Sequence, residues 1–286
     1  ADQTWEVLLG LRSEWQSLID LQLVALVPLK YWSTSQGNCL ASRVAAAGGL
    51  LGGVLVPPFD KVVSRSLLCH LVKTANDLNC GIDLHIDESQ IEPAAGIKLL
   101  IEVLDQIGTN VSITCSHLSS MSLLPSGPLL RIAERLAQHE INVVALPLTN
   151  AWLLGRSAGI TPVQRLLAPI SQLQQAGVKV AVGGDNVQDP WFPTGNFDPL
   201  SLMSFSMPFA QLAPWQRLGL SPFTTAAANL MGLEWDGTIG IGSPAELLLL
   251  DASSWSEALS SRPQRRVLIN GCWADDTTIP RTNLKP

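Results

Sequence analysis

Apolar positions along this chain follow two alternating rhythms. Short apolar runs of the kind buried on both faces of a sheet are separated by longer stretches at helical spacing. The runs are IDLQLVALVP (19–28), GGVLVPP (52–58), GIDLHID (81–87), NVSITCSH (110–117), INVVALP (141–147) and GVKVAVGGD (177–185). Helical spacing covers 4–17, 38–48, 62–79, 93–107, 125–140 and 161–176, with Val62, Val63, Leu67, Leu71 and Leu78 sharing one broad face. Pro93 suits a first helical turn, and Thr161 before Pro162 reads as an N-cap. Strand centres near 23, 54, 84, 114, 144 and 181 recur about every thirty residues.

Serial strand–helix repetition of this kind predicts parallel strands joined by right-handed crossovers. A doubly wound sheet would fit the pattern. Polar residues gather at the C-terminal ends of the strands, which favours an α/β TIM-like (β/α)8 barrel. Six strands are visible and the first two are missing, so the chain is expected to be a fragment of a longer protein. Otherwise a separate segment or another copy in a homo-oligomer completes the barrel. After residue 185 come a polar and aromatic loop, helices over 198–217 and 222–232, and the apolar strands of GTIGIGSPAELLLLD and RRVLINGCW. The expected organisation is an incomplete barrel over 1–235 and the C-terminal part of a β-sandwich over 236–286.

Composition narrows the setting. The 286 residues are 47% hydrophobic and 15% charged, with a formal net charge of −6. That describes a well-buried globular chain with no electrostatic attraction for nucleic acid or an anionic membrane. No apolar run is long enough for a membrane span. Five cysteines without Cys-x-x-Cys spacing read as buried thiols in a reducing, cytoplasmic compartment.

The candidate chemistry sits at strand tips. GIDLHIDESQ (81–90) carries His85 to the end of the third visible strand, with Asp87 and Glu88 directly after it. His117 ends the fourth strand and Asp185 the sixth. Imidazole and carboxylate together suit Zn or Fe, one divalent metal ion able to activate water. Glu88, three residues past His85, is placed to move protons. Each has a plainer reading: a strand-end histidine serves structural hydrogen bonds, and Asp185 closes an Asx-turn. Two of only four histidines at consecutive strand ends weigh against the plainer one. Gln22 interrupts the apolar run of its strand; its amide either satisfies backbone or reads a flat heterocycle. Trp191 either caps a planar ligand or packs its loop, and Trp152, past Asn150, is equally open.

IDLQLVALVP, IDLHIDE (82–88), TCSHLSSM (114–121), VVALPLTNAWLLGR (143–156) and GGDNVQDPWFPTG (183–195) occur in the order found in the cytosine deaminase branch of the metal-dependent amidohydrolases, which this chain resembles along most of its length. The resemblance implies that His85 and Asp185 are metal ligands and that Asp185 helps activate the water. It implies that His117 hydrogen-bonds to that water rather than binding the metal directly, and that Glu88 protonates the ring nitrogen of the substrate and shuttles the proton. It further implies that Gln22 reads a pyrimidine edge and that Trp191 lines the pocket. The reaction implied is hydrolytic deamination of cytosine or a related amino-substituted pyrimidine or triazine, releasing ammonia, with a small heterocyclic molecule as partner. The chain departs from the family in lacking any His-x-His pair, in Asn186 where a second aspartate is usual, and in Gly-Gly before Asp185 where Gly-His is usual. These departures keep open a noncatalytic barrel remnant that binds a ligand or serves a structural role.

Overall fold

The computed structural model describes residues 2–216, 218–260 and 263–274. Its elements run α1 (Asp2–Trp15), β1 (Val24–Leu26), α2 (Ser35–Ala46), β2 (Leu50–Leu55), α3 (Lys61–Leu78), β3 (Ile82–Ile86), α4 (Ala95–Ile107), β4 (Ile113–His117) and α5 (Ser126–Gln138). The second half continues with β5 (Asn142–Ala145), α6 (Pro147–Leu153), α7 (Ile170–Gln175), β6 (Val180–Val182), α8 (Pro199–Ala210), α9 (Thr225–Leu230), β7 (Leu247–Leu250), α10 (Trp255–Ser260), β8 (Arg265–Ile269) and β9 (Cys272–Trp273).

Strands β1 to β6 pair in sequence order, and every pair is parallel. This is the expected TIM-like α/β architecture, with the sheet open between β1 and β6 among the described residues. The core is apolar on the helix-facing side: Leu51, Ile82, Leu84, Ile86, Ile97 and Leu100 are all fully buried. Each such side chain contributes about 1.5–3 kcal/mol by leaving water. Helix starts are fixed locally. The Asp60 carboxylate accepts from the Val63 N–H at 2.9 Å to begin α3, and Thr34 caps α2 through the Gly37 N–H at 3.0 Å. Asn79 ends α3 in the left-handed conformation, φ 49°.

Three expected elements change. The first strand shrinks from 19–28 to Val24–Leu26; at its C-terminal end Pro28 has no N–H to donate and leads into a 3₁₀ turn at Leu29–Ser33. The helix expected over 161–176 survives only as Ile170–Gln175, so Thr161 caps nothing. Pro169 removes an N–H and pushes Ala168 out of helical geometry, which stops a helix from running through this point. An unexpected helix, α6, follows β5 directly, with Pro147 in its first turn where the missing N–H costs nothing.

β7, β8 and β9 form a small antiparallel sheet, Leu247 beside Leu268 and Leu250 beside Arg265. An Arg265–Asp198 ion pair at 2.7 Å and a Ser204 Oγ–Leu259 O hydrogen bond at 2.7 Å tie this region to α8. All five cysteines are free; Cys80 and Cys115 are buried as expected, but Cys39 and Cys272 are exposed. No helix among the described residues is long and apolar enough to cross a membrane.

Candidate active site

The register brings the expected residues to one edge. His85 lies level with Ser116, and Ile86 with His117. Alternation along β3 turns Leu84 and Ile86 into the core and His85 to the other face. The chain then bends sharply. Asp87, His117, Leu118 and Asp185 all adopt positive φ, 56°, 76°, 49° and 59°. A non-glycine residue held there stores about 1–3 kcal/mol of strain, and such strain clusters at functional sites.

The bend separates the two carboxylates of β3's tip. Asp87 does not join the rim. It is fully buried, and its oxygens accept from the N–H groups of Gly96 and Ile97, each at 2.8 Å, anchoring the start of α4. Gly96 is needed there: a Cβ would meet Ile86 Cγ1 at 2.8 Å, and Asp87 Oδ1 and Leu55 O at 3.0 Å. Burial raises the Asp87 carboxyl to about 6. Glu88, one residue on, reaches the rim.

There His117 is nine-tenths or more buried between three partners. Its Nε2 lies 3.4 Å from His85 Nδ1, its Nδ1 lies 3.1 Å from Asn150 Nδ2, and Glu88 Oε1 lies 3.5 Å from that same Nδ1. Asn150 Nδ2 also donates to Glu88 Oε1 at 3.2 Å. One ligand atom from each of Glu88, His117 and Asp185 falls within 4.8 Å of the others. Burial, then the neighbouring His85, pushes His117 down to about 3, so it is neutral at pH 7 and its contact with Glu88 is no ion pair. Burial, then the negative charge of Asp185, raises Glu88 to about 7. Burial also raises Asp185, against an opposing pull from His85.

The donor set fits a divalent cation. An imidazole, His85, and a carboxylate, Asp185, are the ligand types suited to zinc or iron, and His117 and Glu88 lie beside them. The buried Oδ2 of Asp185 has no hydrogen-bond partner among the described residues, which leaves an acceptor aimed at nothing else.

Two expected residues are not brought to the cluster. Gln22 is exposed and precedes β1, donating to Met231 O at 3.3 Å. The pairings of Leu26 with Gly52 and Val54 with His85 place residue 28 level with His85, so Gln22 lies six positions short of it. Trp191 is 59% exposed. Asp189 accepts from the N–H groups of Trp191 and Phe192, and this turn directs Phe192 inward in its place. Phe192 joins Trp152, Phe205 and Phe209 around a cavity of about 750 Å³ that opens beside Asp185. Asn150 and these phenylalanines were not legible as site residues, since buried amides and loop aromatics usually pack.

Residues 53–277 match the amidohydrolase family. The chain is 30% identical over 280 residues to a pterin deaminase of Rhizobium rhizogenes, covering 97% of this chain and 63% of that protein. It is 26% identical over 270 residues to an N-isopropylammelide isopropyl amidohydrolase of Pseudomonas, covering 92% of this chain and 62% of that one. Among solved structures, 5-methylcytosine deaminase from Klebsiella pneumoniae, liganded with 5-fluorocytosine, superposes with a TM-score of 0.80 at 25% identity, over 96% of this chain and 68% of that one. The chain thus spans less than two thirds of the length of the two curated relatives. Strand order, converging tips and a match over most of its length agree that this chain belongs to the amidohydrolase family.

Proposed function

We propose that this protein catalyses metal-dependent hydrolytic deamination of an amino-substituted nitrogen heterocycle, a cytosine-like pyrimidine or a related triazine or pterin, with release of ammonia. The observation that carries the reading is the meeting of Glu88, His117 and Asp185 beyond the tips of β3, β4 and β6, with His85 against His117. The names of the similar proteins support the substrate class.

His85 and Asp185 would hold a zinc or iron ion, which when bound supplies Lewis acidity to the site. Asp185 takes a proton from the attacking water. His117, neutral because it is buried, hydrogen-bonds that water without competing for its proton. Glu88, with a carboxyl raised to about 7, is protonated in part at neutral pH and delivers a proton to the ring nitrogen next to the attacked carbon. Asp185 passes the proton it took from water to the exocyclic amino nitrogen, the carbon–nitrogen bond breaks with release of ammonia, and Glu88 regains a proton from the hydroxyl group as the ring carbonyl forms. Phe192 and Trp152 offer apolar faces to a planar ring in the adjoining cavity.

The competing reading is a barrel that binds a ligand without turnover. Metal analysis of the intact gene product, with ammonia release assayed on cytosine, pterin and an alkylaminotriazine, separates the two. A tightly held zinc or iron with turnover of one of these compounds supports the deaminase. Protein that holds no divalent metal and releases no ammonia from any of them supports the remnant.

A further inference from the structure

Asn150 lies in α6, fully buried, with one amide atom between two groups of the site. Its Nδ2 is 3.1 Å from His117 Nδ1 and 3.2 Å from Glu88 Oε1. A primary amide nitrogen carries two hydrogens, so both contacts are donated at once. Turned over, the amide would set its oxygen against both partners and require a proton on each. It would also bury two N–H groups without partners, where at present only the carbonyl oxygen lacks one. The observed orientation is therefore favoured.

The consequence falls on His117. An Nδ1 that accepts from Asn150 carries no proton, so the neutral ring carries its proton on Nε2, the atom 3.4 Å from His85 Nδ1. We propose that Asn150 is a positioning residue that fixes the Nε2–H tautomer of His117. The Nδ1 lone pair is engaged by the amide and Nε2 bears hydrogen. His117 is thereby a hydrogen-bond donor at the site, although its atoms lie among those of Glu88 and Asp185 at distances a cation could span. The use of that donor toward water rests on the deaminase reading; the tautomer itself does not.

Imidazole nitrogen NMR on metal-free protein tests the assignment, with the His117 signals identified by their loss in His117→Gln. The expected spectrum shows an unprotonated Nδ1 and a protonated Nε2. Asn150→Asp presents an acceptor in place of the donor and is expected to move the proton to Nδ1. It thereby leaves Nε2 without hydrogen, and the two ring-nitrogen signals should exchange their protonated and unprotonated positions. A protonated Nδ1 in the unmodified protein overturns the proposal, and that measurement stands even if Asn150→Asp fails to fold. A folded Asn150→Asp that keeps the Nε2–H form overturns it as well. Failure to release ammonia with the expected tautomer intact counts against the deaminase reading alone.

Discussion

β3 and β7 are both short and rich in leucine and isoleucine, yet they occupy opposite environments. In β3, Ile82, Leu84 and Ile86 are fully buried, flanked by parallel neighbours on both sides. In β7, Leu248 and Leu249 remain 44% and 45% exposed on a three-stranded sheet. Hydrophobicity alone therefore does not set burial; the number of flanking strands and the helices laid over them do. The difference reaches the chemistry. A strand locked on both sides can hold a strained residue such as Asp87 at its tip, with Glu88 next to it, in a fixed place. The strands of the small sheet carry no cluster of metal-binding side chains among the described residues.

The largest effect should come from β3's tip. Glu88→Gln is expected to retain bound metal while lowering turnover by about 10²–10⁴-fold. Metal analysis and ammonia release read the two quantities separately, and unchanged turnover would remove Glu88 from the mechanism. In β3's core, Leu84→Ala should cost about 2–5 kcal/mol in chemical denaturation, through lost burial and a residual cavity.

A third effect concerns pH. The Glu88 carboxyl rises from 4.5 to about 7 on folding, so its protonated form favours the folded state. In metal-free protein that contribution is complete below about 4.5 and is lost as pH climbs through about 7. Glu88→Gln should flatten this part of the stability profile and match or exceed the parent in thermal unfolding at pH 8. A steeper profile in the variant would show that burial is not what shifts this group. The smallest effect belongs to β7, where Leu249→Ala should change stability by less than about 0.5 kcal/mol. A loss as large as that at Leu84 would erase the contrast between the two strands.

Much of this arrangement was legible before any coordinates. The thirty-residue period located every strand of the large sheet, and the histidines at consecutive strand ends did become neighbours. What the sequence concealed has physical causes. Pro147 and Pro169 both stand at helix starts, but the second lies inside a stretch of helical spacing and holds the helix back to Ile170. Asp87 and Glu88 are adjacent carboxylates, and only a positive φ at the first sends them in different directions. Gln22 was placed inside a strand by the apolar run around it, but hydrogen bonding of β1 begins only at Val24. Asn150 gave no signal because its importance lies in where a buried amide points, which no spacing rule encodes.

Gly96 illustrates how far such dependence extends. Even a methyl group at this position would press on Ile86, Leu55 and the Asp87 carboxylate together. Glu88 is bonded to the last of these along the chain, so one added carbon at the start of α4 would be transmitted to the Glu88 carboxyl. A mutational survey that looked only at polar side chains would overlook this position, whose contribution to the site is the room it leaves.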